Sequence, residues 1–440
     1  MSDAQAPPST FKGVLKQLGP GLIISANIVG SGELIVTTKL GADIGFTLLW
    51  FIIFGCIIKV FLQVELGRYA ISKGRTSLDA MNEVPGPKFG VSWLVWCWFI
   101  MFIATFFQVA GMVGGVAGVL KMGGLNLNSS ILALFITASC AALLFIGRYG
   151  FIEKFATTMV AIFTLFTITA VFSLYWTPYG ITGANLAEGL SFKLPDKFTV
   201  AFAAFGVIGV GASELIYYPF WCIEKGYARH VGPDDGTPEW NTRALGWIRV
   251  LKWDAWISMV IYTGATIAFY LLGAAVLHGK SLEVTNENLI ENLSQLYSES
   301  FGTAGLWIFL AGALVVLYST IFISTASNAR LATNLTRLLN LAKLDTEEKT
   351  KKGIRIACIA IPALYLIFYL TIPEPVTLVF IGALAQALML PLLCFAALYF
   401  LYRQTPAGLK PGKAWIILLW ISSILMTSVG IYQIVTKIIG

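Results

Sequence analysis

The chain has 440 residues, of which 57% are hydrophobic and only 12% are charged. Its mean hydropathy of +0.78 is far above that of a soluble domain and predicts an all-α polytopic membrane protein. The net charge of +7 comes from basic residues between the apolar runs, so the sequence predicts no nucleic-acid partner.

The apolar runs predict about eleven transmembrane helices, because a spanning helix needs about 20 mostly apolar residues. In chain order, the predicted spans are residues 15–40, 46–71, 90–120, 129–147, 153–176, 198–223, 250–277, 303–337, 355–372, 374–402 and 414–436. They form one transmembrane domain, residues 1–440, which begins with a short tail, residues 1–14. Residues 224–249 and 278–302 are long enough to leave the membrane, and we expect them to be solvated loops.

The distribution of basic residues predicts the orientation of the chain. With the N-terminal tail in the cytoplasm, most of the 30 lysines and arginines fall in cytoplasmic segments, as the positive-inside rule requires. We therefore expect an integral protein of the plasma membrane whose C-terminus lies outside. The lipid bilayer is its expected partner, and the sequence indicates no obligatory protein partner.

Two nearly identical heptapeptides lie inside long apolar runs: VGSGELI at residues 29–35 and VGASELI at residues 210–216. Each places a glutamate, Glu33 or Glu214, beside small residues at which a helix breaks easily. A carboxylate at membrane depth is costly and therefore indicates a functional site. Broken helices at corresponding places in two halves of a membrane protein predict a substrate site between the halves.

The two heptapeptides also predict an internal repeat. Each opens a block of five predicted spans, residues 15–176 and residues 198–402, and leaves residues 414–436 as an extra eleventh helix. Because five is odd, the second block enters the membrane from the opposite side, which is an inverted-topology repeat. Chance similarity is the alternative, since Gly, Val, Ile and Leu are abundant in this chain.

The candidate site offers only oxygen ligands. They are the carboxylates of Glu33 and Glu214, the hydroxyls of Ser31 and Ser213, backbone carbonyls near Gly30 and Gly211, and, in the tenth span, the side chain of Gln386. Such a set suits a hard divalent cation such as Mg²⁺, Ca²⁺ or Mn²⁺. A structural role is the alternative, in which each glutamate caps a half-helix or pairs with Lys39, Lys59 or Lys225.

Soft ligands are missing from both heptapeptides, which disfavours selectivity for a soft metal. The two histidines, His230 and His278, fall in the predicted loops, where we expect them to be solvated. The six cysteines are scattered singly and are expected to act as small hydrophobic side chains. In the second span, Lys59, Glu65 and Arg68 are expected to form an internal set of ion pairs.

Three short stretches resemble the Nramp family of divalent metal transporters. Gly19-Pro20-Gly21 is similar to the family's Gly-Pro-Gly opening of the first helix. Residues 103–105 (Ile-Ala-Thr) are similar to part of its third helix, and residues 385–391, which end in Leu-Pro, are similar to part of its tenth. The resemblance runs over essentially the whole chain. It implies the leucine-transporter-like fold, with a 5+5 inverted repeat and unwound first and sixth helices.

The departures from the family are as informative as the matches. The family's Asp-Pro-Gly-Asn metal motif falls on residues 30–33, so its Asp is Gly30 and its Asn is Glu33. The Met-Pro-His of its sixth helix falls within residues 212–215, where neither methionine nor histidine occurs. In the family, the thioether favours transition metals and excludes Mg²⁺ and Ca²⁺, so its loss removes that filter.

The acidic residues that follow Ile-Ala-Thr in the family are associated with proton coupling. Here those positions hold Phe106, Phe107 and Gln108. The pattern resembles the divergent Nramp-related magnesium transporters, which implies transport of Mg²⁺ and Mn²⁺ without proton coupling.

The sequence therefore predicts a transporter of divalent cations, with Mg²⁺ or Mn²⁺ as its substrate, that works by alternating access. No enzymatic activity and no cofactor are expected. The alternatives are a proton-coupled transporter of Mn²⁺ and Fe²⁺ of the ordinary Nramp type and a Na⁺-coupled amino-acid transporter of the same fold.

Overall fold

The computed structural model describes residues 4–146, 149–194 and 198–439. The first three residues of the predicted N-terminal tail and residue 147, at the end of a predicted span, lie outside the described residues. The described chain is helical apart from its connections and one antiparallel pair of two-residue strands, β1 (Lys88–Phe89) and β2 (Val91–Ser92). The all-α prediction is confirmed.

The described residues of the first part of the chain form nine α-helices. They are α1 (Phe11–Gln17), α2 (Pro20–Ile28), α3 (Thr38–Ile44), α4 (Leu49–Lys73), α5 (Ser77–Asn82), α6 (Trp93–Met122), α7 (Ser129–Ile146), α8 (Tyr149–Ser173) and α9 (Gly183–Gly189). A π-helix, Val29–Thr37, joins α2 to α3, and a 3₁₀ turn, Leu174–Trp176, follows α8.

The described residues from 198 to 439 form nine more. They are α10 (Phe198–Phe205), α11 (Ala212–Lys225), α12 (Tyr227–Val231), α13 (Pro238–Leu272), α14 (Leu289–Phe301), α15 (Thr303–Leu338), α16 (Glu347–Thr371), α17 (Pro375–Tyr399) and α18 (Lys413–Ile439). Short π-helices extend α13 (Gly273–His278) and α17 (Phe400–Gln404), and a 3₁₀ turn (Ala407–Leu409) precedes α18.

Eight helical segments of the described chain are long and apolar enough to cross a membrane. They are Pro20–Ile44, Leu49–Lys73, Trp93–Met122, Pro238–His278, Thr303–Leu338, Glu347–Thr371, Pro375–Gln404 and Lys413–Tyr432. The three remaining predicted spans correspond to α7, α8 and the pair α10 and α11. The division into repeats at residues 15–176 and 198–402 stays a prediction.

The first helix is interrupted by a π-helix and not by an extended segment. Pro20 starts α2 at a position where its missing N–H costs no hydrogen bond. The π-helix Val29–Thr37 then covers the whole first heptapeptide. Because a π-helix accommodates extra residues in a turn, it changes which way Glu33 faces, and such turns are frequent at functional sites.

The sixth helix is truly broken. Residues 206–211 between α10 and α11 are not helical. Gly209 has φ +62°, a left-handed conformation that glycine adopts without strain. The predicted break at the second heptapeptide is confirmed, although it begins four residues before Val210.

Both predicted loops contain helices, so their assignment as solvated loops was wrong in part. In 224–249, Thr237 caps the first turn and Pro238 occupies its first position, so α13 starts well before the predicted span 250–277. His230 is buried in α12, whereas His278 is exposed as predicted. In 278–302, the apolar face of α14 packs inward.

Candidate functional site

Glu33 projects from the π-helix into the core of the protein and is fully buried. Its Oε1 accepts a hydrogen bond from the backbone N–H of Gly209 at 3.1 Å. Its Oε2 accepts one from the Thr37 hydroxyl, one turn along the same helix, at 2.6 Å. The first glutamate is therefore held against the break in the sixth helix.

Glu214 lies in the first turn of α11 and is also buried. Its Oε1 accepts a hydrogen bond from the side-chain amide of Asn27, in α2, at 2.5 Å. The Asn27 Oδ1 in turn accepts from the Ser324 hydroxyl of α15 at 2.7 Å. The second glutamate thus belongs to a polar chain that links the first, sixth and eighth spanning helices.

Gln386, on α17, also reaches the start of α11. Its Oε1 accepts from the backbone N–H of Ser213 at 2.9 Å, and its Nε2 donates to Gln108 Oε1 at 2.8 Å. Gly211 lies between the two polar side chains: a Cβ there would meet Gln386 Oε1 and would lie 2.6 Å from Glu214 Oε2. The structure therefore brings together Gly211, Ser213, Glu214 and Gln386.

Both carboxylates meet the same short segment of the sixth helix. Glu33 bonds to Gly209, and Glu214 lies against Gly211. Two residues of chain span at most about 7 Å. The interruption at 206–211 therefore carries two buried carboxylates, one from each heptapeptide, within a small volume.

Gly30 has a packing role that the sequence did not indicate. A Cβ at this residue would collide with the Thr320 hydroxyl of α15 and lie 2.9 Å from the Val316 carbonyl oxygen. The helix α15 and the π-helix Val29–Thr37 approach so closely at this point that only glycine fits. The side chain of Ser31 lies outside the described residues, so its predicted part in the site stays a prediction.

The expected ion-pair set in α4 is only partly present. Arg68 pairs with Glu65 at 3.0 Å, as residues three apart on one helix face can. Lys59, six residues before Glu65, lies on a different face. Its Nζ donates instead to the carbonyl oxygens of Phe205 at 2.5 Å and Ile208 at 2.7 Å, so its predicted pairing was wrong.

A further buried acid, Asp254, was missed. Its carboxylate accepts from the N–H groups of Gly19 (2.9 Å) and Gly21 (2.6 Å) and from the Tyr218 hydroxyl (3.0 Å). It thereby caps the start of α2 and ties it to α11 and α13. The rule that singles out ionisable residues inside apolar runs would have found it.

The described residues contain no group of three or more His, Cys, Asp or Glu that could hold a metal ion. A cation between Glu33 and Glu214 would therefore complete its coordination with amide, hydroxyl, carbonyl or water oxygens. That donor set fits a hard cation that retains part of its hydration shell.

A buried polar site at two interrupted helices, in an all-helical membrane protein, defines a secondary transporter with the leucine-transporter-like fold. The profile of the family described as Nramp, natural resistance-associated macrophage protein-like, matches residues 21–436. The chain belongs to the Nramp family, whose members are transporters and not enzymes.

Similar sequences include several transporters. The divalent metal cation transporter MntH of Staphylococcus haemolyticus is 23% identical over 342 residues, covering 76% of this chain and 70% of that protein. MntH of Mycobacterium tuberculosis is 24% identical over 283 residues, covering 63% and 61%. An uncharacterized protein of Pasteurella multocida, PM0681, is 23% identical over 375 residues, covering 83% and 80%.

Solved structures confirm the fold. A mutant of the Eremococcus coleocola manganese transporter has a TM-score of 0.71 at 14% identity, covering 99% of this chain and 90% of that chain. Mhp1, in an inward-facing conformation, has a TM-score of 0.58 at 15% identity, covering 95% and 90%. MhsT in complex with L-phenylalanine has a TM-score of 0.57 at 14% identity, covering 98% and 100%.

Proposed function

We propose that this chain transports divalent metal ions across the membrane by alternating access, with Mg²⁺ and Mn²⁺ as its substrates and without proton coupling. One observation carries the proposal: Glu33 and Glu214, both buried, meet the single interruption of the sixth helix. Two carboxylates match the charge of a divalent ion, and buried charge without a partner is costly.

The proposed coordination is completed by neutral oxygens. The contributors are the side chains of Ser31, Ser213 and Gln386 and the backbone carbonyls near Gly30 and Gly211. Because Mg²⁺ gives up its water reluctantly, we expect several of its ligands to be waters held by these groups. Sulfur and imidazole have no part in the proposed coordination, which favours Mg²⁺ and Mn²⁺ over softer metals.

The absence of proton coupling is supported by the packing of α6. Phe107 stacks on Phe368, with ring centroids 4.3 Å apart. Phe106 packs edge-on against Tyr365, with centroids 5.5 Å apart. These aromatic side chains cannot carry a proton at the positions where the family resemblance would place acidic residues.

The driving force would then be the ion gradient and the membrane potential. With the N-terminus in the cytoplasm of a plasma-membrane protein, an inside-negative potential favours entry by about 2.3 kcal/mol per charge per 100 mV, doubled for a divalent ion. Amino-acid transport on the same fold is disfavoured, because two buried glutamates would repel a substrate carboxylate.

Flux into proteoliposomes tests this function. The purified protein is reconstituted with an Mg²⁺-sensitive dye inside and a pH dye in parallel, and a K⁺ gradient with valinomycin sets the potential. We expect saturable, potential-driven entry of Mg²⁺ and Mn²⁺ without acidification. Entry of transition metals with acidification, and exclusion of Mg²⁺, would show an ordinary proton-coupled transporter instead.

Charge-neutral variants test the site. Glu33→Gln and Glu214→Gln keep the shape of the side chain and remove one negative charge each, so each should abolish Mg²⁺ uptake. Glu287→Gln is the matched control, since Glu287 is exposed, and should transport normally. Unchanged uptake by either core variant in a folded protein would refute the assignment of that glutamate.

A further inference from the structure

The most unusual charge in the core is the ammonium of Lys59, in the middle of α4. The side chain is fully buried, and among the described residues no ion pair involves it. Its partners are instead two backbone carbonyl oxygens, those of Phe205 at 2.5 Å and Ile208 at 2.7 Å. A buried ammonium that forms no contact ion pair is normally costly. The presence of two carbonyl oxygens within hydrogen-bond distance of it therefore requires an explanation.

The carbonyls are available because the sixth helix breaks where it does. Phe205 is the last residue of α10, and the final carbonyls of a helix have no partner within the helix. The C-terminal end of a helix also carries a partial negative charge. Ile208 lies in the non-helical segment that follows, one residue before the left-handed Gly209.

The same place offers a third favourable interaction for a positive charge. The Lys59 Nζ lies 4.5 Å from the centroid of the Phe205 ring, within the range of a cation–π contact. Two carbonyl oxygens and an aromatic face, enclosed away from solvent, are the surroundings in which a small monovalent cation binds. Here the cation that occupies these surroundings is the Lys59 ammonium, which is covalently attached to α4.

We propose that Lys59 serves as a built-in monovalent cation, filling the carbonyl site made by the interruption of the sixth helix. The protein then binds no separate Na⁺ or K⁺ at this place. One consequence rests on the proposed transport function: the flux of divalent ions should need no monovalent cation.

The ammonium also sets the charge of the metal site. It interacts electrostatically with the carboxylates of Glu33 and Glu214. With both glutamates ionised, the three groups carry a net charge of −1, so a bound divalent ion is held less tightly than by two glutamates alone. A weaker site releases its ion more readily, which a transporter requires.

Two substitutions of Lys59 separate charge from volume. Lys59→Ala removes the ammonium and leaves room for a small cation beside the two carbonyls. Lys59→Met removes the charge but keeps most of the volume, so no cation can enter. Lys252→Met is the control lysine variant, since the Lys252 ammonium lies over the Trp415 ring, 4.8 Å from its centroid, and does not reach the carbonyls.

Thermal unfolding of the purified variants is measured in N-methyl-D-glucamine chloride and again with NaCl, KCl or NH₄Cl at the same ionic strength. We expect Lys59→Ala to unfold at a lower temperature in N-methyl-D-glucamine and to recover when a small cation is added. Lys59→Met should be destabilised in every salt, and Lys252→Met and the natural protein should not distinguish the salts. A folded Lys59→Ala that ignores the small cations, or a Lys59→Met as stable as the natural protein, overturns the proposal.

The natural protein gives a second test that needs no variant. Mg²⁺ flux is measured with the potential set by a proton ionophore, in media containing Na⁺, K⁺ or only N-methyl-D-glucamine. Equal rates are expected, and a several-fold dependence on Na⁺ or K⁺ would overturn the built-in cation even if Lys59→Ala fails to fold. If the natural protein transports no divalent ion at all, the proposed function is refuted. The unfolding data still test whether Lys59 acts as a built-in cation.

Discussion

Asn27 donates its side-chain amide to Glu214 Oε1 at 2.5 Å. The contact joins α2 to α11, and it has a counterpart in the bond between the Gly209 N–H and Glu33 at 3.1 Å. Each glutamate is therefore held by the interrupted helix of the other heptapeptide. A movement that separates the first and sixth helices must break both bonds, so the site is coupled to the relative position of these helices.

Replacing Asn27 tests that coupling. Asn27→Ala removes one hydrogen-bond donor from the buried Glu214 and the acceptor of the Ser324 hydroxyl, and a buried polar group left unsatisfied costs about 1–3 kcal/mol. We expect a lower unfolding temperature and weaker Mg²⁺ uptake. Asn126→Ala, at an exposed position, is the control and should change neither; equal behaviour of the two variants would show that the Asn27–Glu214 bond has no role.

Gly30 is expected to tolerate no side chain. A Cβ there would collide with the Thr320 hydroxyl, and overpacking of a core typically costs about 1–3 kcal/mol. Gly30→Ala should lower the unfolding temperature and the yield of folded protein. The matched control is Gly264→Ala in α13, where a Cβ would meet nothing within 4 Å. This substitution should stabilise the helix slightly.

The same contact predicts the fate of a restored family motif. The resemblance places an aspartate at residue 30, yet α15 occupies the space it would need. Gly30→Asp should therefore fail to create a transition-metal site and should yield less folded protein than Gly30→Ala. Cd²⁺ or Mn²⁺ binding by isothermal titration calorimetry, gained in a folded Gly30→Asp protein, would contradict this prediction.

Asp254 is expected to anchor the start of the first helix. Asp254→Ala leaves three donors without their acceptor, at Gly19, Gly21 and Tyr218. We expect a loss of several kcal/mol, since each unsatisfied buried donor costs about 1–3 kcal/mol. Asp43→Ala breaks only a partly exposed pair with Lys39 and should cost at most about 1 kcal/mol; thermal unfolding of both variants distinguishes the two cases.

Gln63 predicts a stabilising change. Its side chain is fully buried in α4, and among the described residues neither of its amide atoms has a hydrogen-bond partner. Gln63→Met has a similar volume and removes the unpaired groups. The unfolding temperature should therefore rise, and the free energy of unfolding should increase by up to about 1–3 kcal/mol. Gln295→Met is the control: its amide oxygen accepts from Lys280, so its loss should bring no gain. A fall in stability for Gln63→Met would show that the amide is paired through water.

Much of the architecture could be predicted because its signals are local. Long apolar runs gave the spanning helices, and the repeated heptapeptide marked both interruptions and both glutamates. These features depend on neighbouring residues in the chain, because hydrophobic length and helix-breaking residues act within a few turns. The start of α13 escaped notice because its first turns are polar and lie outside the apolar run.

The partners of the buried polar groups were decided by the tertiary structure alone. Lys59 donates hydrogen bonds to carbonyls near Gly209 and forms no ion pair with Glu65. Gly30 lies where the helix is interrupted, and it also allows close packing against Thr320. Such pairings depend on how each helix is rotated and how closely its neighbour approaches, which no local pattern encodes. The sequence by itself determined which residues are charged in the core and where the helices break; only the packing of the helices decided which of these residues meet.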